Sequence, residues 1–299
     1  KSGQLVGELA LELPNLLGSL RYLQIDFRRL STATQQLGII YAEPHLGLLP
    51  LGGRVSFFQD TRDTMYVQRD IKVQLTSLPG QPWSTAIGVG RKVLRMTGDG
   101  QSEGLSYQLS SVNLELFRNA LDRSNNPRRG YQVRLSLEAG TLANSELDRK
   151  AALSSTDVRV IIVGSPYVWG IANLTLAQEL QATGVAGYRY APQVADYARF
   201  GGSATLRGYR EDQFAAAWGI VSRSELRYPI SSSSRLYLFV DAGRLDKLDP
   251  LTAAGAGMVA AAGKNLIQLD FAWTPSDSFR EGKVHLRLTN FLGANTSGQ

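Results

Sequence analysis

The chain has 299 residues, with 32 lysines and arginines, 26 aspartates and glutamates, and no cysteine. The lack of cysteine excludes disulfide frameworks, thiolate metal sites and cysteine nucleophiles. The net charge of +6 is spread along the chain without a basic run, so we expect no nucleic-acid partner.

Other classes of function find little support in the sequence. No run of about 18 apolar residues is present that would form a membrane-spanning helix. The two histidines, His45 and His285, each lack a second histidine at metal-ligand spacing and lie in no recognisable catalytic triad. Nothing resembles a phosphate-binding loop. We therefore expect no metal, no cofactor and no enzymatic activity.

In chain order, segments of about 8–12 residues alternate apolar and polar side chains, which predicts β-strands. Turns rich in glycine, proline, asparagine, aspartate and serine separate them. About fifteen strands are predicted, at 2–12, 20–30, 35–43, 52–60, 64–77, 83–95, 104–117, 129–139, 155–164, 167–180, 216–229, 234–243, 254–262, 264–274 and 282–292. Residues 181–216 lack the alternation and are predicted to form a long loop.

The two faces of these strands favour a membrane barrel over a soluble sandwich. A sandwich needs buried aromatic anchors and continuous apolar strands, of which the chain shows few. In a membrane barrel the apolar face meets lipid and the polar face lines the lumen. Four aromatic residues near strand ends are suited to an interfacial girdle: Trp169, Trp218, Tyr228 and Trp273. The predicted fold is all-β, a transmembrane antiparallel barrel that occupies residues 1–299 as one domain.

The long loop contains a glycine-rich stretch, Phe200–Tyr209, that includes Gly201, Gly202 and Gly208. Such glycines let the backbone turn tightly and hold Arg207 in a fixed position. We predict that the loop folds into the barrel lumen.

Strand alternation identifies the partners of Arg207. It places Phe239, Asp241 and Gly243 on the lumen face of one strand and Glu225 on the lumen face of its neighbour. We predict that the Arg207 guanidinium binds both carboxylates, because its planar fork can donate to two acceptors. Gly243 would leave space for another group beside Asp241.

Three motifs resemble those of the BamA/TamA/FhaC superfamily of outer-membrane insertases and transporters. They are the loop stretch around Arg207-Gly208-Tyr209, the strand Ser224–Pro229 and the strand Phe239–Gly243. The turns 122–130 and 13–18 are also similar to turns of this family. Five strands follow the loop, as they do in the family.

The resemblance implies a barrel of about 16 strands whose first strand lies before Lys1, preceded by periplasmic POTRA repeats. In the family the first and last strands meet at a weakly paired seam that opens sideways. The last strand here supplies the seam residues Val284, Leu286, Leu288 and Phe291. Its end at Phe291 resembles the aromatic C-terminal signal of such barrels, although the chain continues to Gln299.

The resemblance also implies a function and a location. It predicts an outer-membrane assembly factor that inserts or translocates clients through the seam and lumen without nucleotide. Its partners would be unfolded outer-membrane or secreted client proteins, outer-membrane lipid, and periplasmic or lipoprotein accessory subunits. A passive pore, or a secretion channel for one specific passenger, is the alternative.

Overall fold

The fold is an all-β barrel, seen in a computed structural model. The structure describes residues 7–291 except 17, 30, 32, 48, 63–64, 98–103, 124–125, 145–146, 149, 165–172 and 263–264. Trp169 and the strand predicted before Lys1 therefore lie outside the described residues. No helix in this part of the chain is long and apolar enough to cross a membrane.

The described part of the chain forms seventeen strands and one short 3-10 turn, Phe279–Glu281. The strands are β1 (Gly7–Leu16), β2 (Arg21–Arg29), β3 (Thr34–Glu43), β4 (Gly52–Arg62), β5 (Tyr66–Thr76), β6 (Ser84–Met96), β7 (Tyr107–Asn119), β8 (Gly130–Ala143), β9 (Ala152–Gly164), β10 (Thr175–Tyr188), β11 (Ala198–Phe200), β12 (Phe214–Ala216), β13 (Trp218–Pro229), β14 (Arg235–Leu245), β15 (Leu251–Ala262), β16 (Asn265–Trp273) and β17 (Lys283–Phe291). Fifteen strands close into a barrel, and β11 and β12 form a separate hairpin.

The prediction of about fifteen alternating strands and a barrel is confirmed, but the predicted end of the tenth strand was wrong by eight residues. β10 runs to Tyr188, so residues 181–188 complete a strand and do not begin the loop that we predicted at 181–216. The lumen-facing Gln181 and Thr183 both contact Asp157 of β9. The outward residues of this stretch are small (Ala182, Gly184 and Ala186), and this hides the alternation in the sequence.

The predicted faces of the strands are present in the structure. On β14, Leu238 is 61% exposed on the outward face, whereas Tyr237, Phe239 and Asp241 are buried on the lumen side. Outward-facing leucine, isoleucine and valine side chains recur around the barrel, as a lipid-facing band requires. Two of the predicted girdle residues, Trp218 and Tyr228, are exposed at opposite ends of β13.

The barrel closes at a seam that we define as the contact between β1 and β17. The described part of the barrel has an odd number of strands, so its outermost strands in the chain, β1 and β17, run in the same direction where they meet. Among the described residues, β1 and β17 are parallel and form three residue pairs: Ala10 with Thr289, Leu11 with Asn290, and Glu12 with Phe291. Every other barrel ladder pairs at least eight residues and is antiparallel. The seam is therefore the weakest ladder of the described barrel.

The assignment of faces is tested by placing arginine on each face in turn. We predict that Leu238→Arg, on the lipid face of β14, destabilises the barrel by about 2–4 kcal/mol. Ser136→Arg is the control, because position 136 pairs with Glu115 and Asp157 on the lumen side and should change stability by less than about 1 kcal/mol. Urea-dependent unfolding from lipid vesicles measures both. Equal losses would contradict the assigned faces.

Candidate functional site

The loop between β10 and β13 enters the barrel and packs against its inner wall. Its hairpin, β11 with β12, pairs Phe200 with Phe214. Phe200 and Leu206 are buried against Val221 and Leu245 of β13 and β14. These apolar contacts hold the base of the loop on the inner wall.

Gly243 makes room for this packing, as the sequence predicted for the position beside Asp241. A Cβ atom at Gly243 would lie 2.8 Å from Leu206 Cδ1. Real Cβ atoms do not approach so closely, so any other residue at position 243 would force the Leu206 side chain to shift. The group that occupies the space is therefore the Leu206 side chain.

Arg207 lies at the centre of the site and is fully buried. Its Nη1 donates to Glu225 Oε1 at 2.7 Å. Nη2 and Nε donate to the two oxygens of Asp241 at 2.7 and 2.9 Å, and the Arg207 backbone N–H donates to Asp241 Oδ2 at 3.0 Å. The contacts that alternation predicted for Arg207 are thus present. We call these three residues the loop lock.

Aromatic side chains enclose the loop lock from the wall side. The Arg207 guanidinium carbon lies 3.6 Å from the centre of the Phe239 ring, which is a close cation–π contact. Tyr237 lies further out, and its hydroxyl donates to Asp270 of β16. Asp270 Oδ1 is in turn 3.8 Å from Arg207 Nη1. A third buried carboxylate therefore supports the same cation.

Asp270 and Tyr237 were not predicted as site residues, although alternation along β16 and β14 places both on the lumen face. Gly257 of β15 lets them approach across the intervening strand, and Gly255 makes room for Phe239. A Cβ at Gly257 would lie 2.4 Å from the Tyr237 ring and 2.5 Å from Asp270, and one at Gly255 would lie 2.6 Å from the Phe239 ring. A strand with two lumen-facing glycines next to buried aromatics was the available sequence signal.

The glycines of the loop motif serve its backbone. Gly201, Gly202 and Gly208 all have positive φ, between 88° and 112°, which disfavours other residues. A Cβ at Gly208 would also approach Ala253 of β15 to 2.8 Å. The next residue, Tyr209, donates its hydroxyl to the Thr252 carbonyl at 3.1 Å. The predicted motif residues therefore fix the turn that presents Arg207.

The loop also binds the wall on the other side of the seam, which the sequence did not predict. Asp212 Oδ2 accepts from Arg62 Nη2 of β4 at 2.5 Å and from Gln36 Nε2 of β3 at 3.4 Å. The neighbouring Glu211 lies 3.6 Å from His285 Nδ1 of β17. The dipeptide 211–212 thus connects the last strand with β3 and β4, inside the barrel and across the seam.

Two side chains of the loop, Arg207 and Glu211, remain ionised although burial opposes it. Burial alone would lower the pKa of the Arg207 guanidinium, but its hydrogen bonds to Asp241 and the charge of Glu225 raise it. Burial also opposes ionisation of Glu211, yet its contacts with His285 and Ser203 hold the pKa of that carboxyl at about 2. Both side chains therefore keep their charges at neutral pH.

The predicted seam residues of β17 lie apart from the loop lock. Val284, Leu286 and Leu288 point outward and are more than half exposed, as lipid-facing residues. His285 and Arg287, on the opposite face of β17, contact the loop instead, and Arg287 Nη2 donates to Ser203 Oγ at 3.0 Å. Phe291 is the last residue of the strand, and its side chain lies outside the described part.

Comparison with known proteins gives a family and a fold. Residues 15–281 match the model of the Omp85 superfamily domain. No curated protein sequence matches the chain. Among solved structures, the chain is similar to BamA from Haemophilus ducreyi lacking POTRA domains 1–3, with a TM-score of 0.67, 14% identity, and coverage of 94% of this chain and 66% of that one. It is also similar to CdiB from Acinetobacter baumannii, with a TM-score of 0.60, 14% identity, and coverage of 96% and 56%.

The chain therefore spans less than two thirds of either structure, 66% of the first and 56% of the second. At 14% identity these likenesses show the barrel fold. The family model, which covers most of the chain, supplies the membership.

The loop lock predicts the effect of removing its cation. Arg207→Ala leaves Glu225 and Asp241 buried without their partner, which should cost about 3–5 kcal/mol and release the loop from the wall. We expect loop residues 201–213 to become cleavable by an added protease while the barrel strands stay protected. Arg210→Ala, at an exposed loop position, is the matched control. A loop that stays resistant in Arg207→Ala would contradict the lock.

Proposed function

Because the chain belongs to the Omp85 superfamily and forms a β-barrel of the outer membrane, we propose that it inserts or translocates client polypeptides through its seam and lumen. Nucleotide, metal and covalent chemistry have no part in this proposal. Strand pairing and the membrane around the barrel would drive client insertion instead.

The short parallel ladder of the seam is the observation that carries the proposal. In the described part of the chain, three residue pairs join β1 to β17, against eight in the shortest of the other barrel ladders. A backbone hydrogen bond contributes about 1 kcal/mol net, so separating these strands costs far less than opening any other ladder. An opened seam presents two strand edges, to which an incoming strand can add by β-augmentation.

The locked loop supports this function over that of a passive pore. A porin needs an open aqueous lumen. Here the loop occupies the lumen beside β13–β17 and also reaches β3 and β4 through Asp212. The position of the loop inside the barrel favours a protein whose lumen admits a polypeptide only when the loop moves.

The client class and the partners belong to the same proposal. Unfolded outer-membrane proteins would add at the seam, whereas a secreted passenger would pass through the lumen once the loop moves. Outer-membrane lipid meets the outward leucine and valine side chains of the barrel. Periplasmic or lipoprotein accessory subunits would deliver clients to the barrel.

A disulfide across the seam tests whether the seam must open. The chain has no native cysteine, so Ala10→Cys with Thr289→Cys introduces a single pair at facing seam positions. In vesicles that hold the full-length protein, we expect oxidation to slow the folding of a urea-unfolded outer-membrane barrel at least about tenfold. A reductant should restore the rate, because it frees the strand edges.

Leu269→Cys with Leu286→Cys is the control, because these residues pair β16 with β17 away from the seam. Its oxidation should leave the rate unchanged. An insertion rate that is insensitive to the seam disulfide would exclude lateral opening as the route, and passage through the lumen alone would remain.

A further inference from the structure

An aromatic side chain of β4, Phe58, faces a part of the lumen that the loop does not cover. Phe58 of β4 pairs with Gly38 of β3 and with Asp70 of β5. Cross-strand partners point to the same face. Asp70 faces the lumen, since Lys72, two residues along the same strand, contacts both it and Glu138 across the lumen wall. The Phe58 ring therefore projects into the lumen, where it stays 38% exposed.

An open slot lies beside this ring. Gly38 has no side chain, and a Cβ built there would meet nothing closer than 3.8 Å. Its φ is not positive, so the backbone does not require glycine. Ile40, two residues further along β3, adds a second apolar side chain on the same face. The slot opens into a cavity of about 730 Å³.

Charged side chains of both signs surround this apolar floor. Carboxylates and cations are nearly balanced among the lining residues, which include Glu12, Asp26, Asp70, Glu115, Arg28, Lys72 and Arg287. The carboxylates disfavour a phosphate group, and the charged side chains around the floor disfavour a lipid acyl chain. An extended polypeptide fits both features, because it offers an apolar side chain flanked by backbone dipoles and charges of either sign.

The position of the cavity fits the same ligand. Its wall includes Ala10 and Glu12 of β1 and Arg287 and Thr289 of β17. These residues belong to the two seam strands, so the cavity lies directly inside the seam. A strand that adds at the seam would point every second side chain into it.

We propose that Phe58, Gly38 and Ile40 form a luminal subsite that binds an aromatic or large aliphatic side chain of the client polypeptide. This inference rests on the proposed function and adds a binding site for its substrate. The subsite gives a client strand a preferred register as it enters, because one lumen-facing apolar residue fits the slot.

Photo-crosslinking in vesicles that hold the full-length protein tests the subsite. The probe is a urea-unfolded copy of this same barrel, added from the outside in excess. A photoreactive residue is placed at position 58 in the slot, at position 11 on the outward face of the seam, or at position 71. Ile71 is an outward residue of the neighbouring β5 and is half exposed to lipid.

We expect probe crosslinks from positions 58 and 11 and lipid crosslinks alone from position 71. Gly38→Leu, which fills the slot, should reduce the position-58 crosslink about tenfold and leave the position-11 crosslink unchanged. Phe58→Ser should slow probe insertion to a similar degree, whereas Ile71→Ser should not. Because Phe58 is partly exposed, both slot variants should fold.

Three outcomes would overturn the subsite. Probe crosslinks from position 11 without any from position 58 would reject the subsite and leave the proposed function standing. Lipid crosslinks alone from position 58 would show that the slot holds an acyl chain. The lack of probe crosslinks from both positions would reject the subsite together with insertion at the seam.

Discussion

The ion pair of Arg207 with Glu225 and Asp241 is the interaction on which the arrangement of the lumen depends. A guanidinium and two carboxylates lose hydration when they are buried, and only close, well-directed hydrogen bonds offset that cost. Four hydrogen bonds at 2.7–3.0 Å and a ring face at 3.6 Å provide this compensation. Once the lock has formed, withdrawing the loop would strand buried charges, so the loop has one preferred position.

That position also connects the loop to the seam. The lock holds the loop tip on β13 and β14, and the adjacent Glu211 and Asp212 contact β17 on one side and β3 and β4 on the other. β1, β2 and the short parallel ladder lie between these two attachments. Opening the seam widely would therefore stretch the loop contacts as well as the three residue pairs. The short parallel ladder and the loop lock are therefore coupled, because the loop contacts both sides of the seam.

The sequence predicted the fold and the lock because both follow from local alternation. On β14, Leu236, Leu238 and Val240 mark the outward face, and this alone placed Asp241 in the lumen. Where the outward residues become small, as in the second half of β10, the alternation disappears and the boundary prediction failed.

The contacts across the lumen could not be predicted in this way. Asp212 and Arg62 are 150 residues apart and meet only because barrel closure sets their separation. The number of strands, their tilt and the depth of the loop determine which side chains face each other there. Asp270 is an intermediate case, since alternation places it on the lumen face but its approach to Tyr237 and Arg207 depends on Gly257 of β15.

The most direct test of the central claim is the current through single barrels of the full-length protein in planar lipid bilayers. If the ion pair keeps the loop in the lumen, the native protein should give small, irregular currents, and Asp241→Asn should give larger and longer openings as the loop leaves the wall. Large, steady currents from the native protein, or identical currents from the two proteins, would show that the loop lock does not close the lumen.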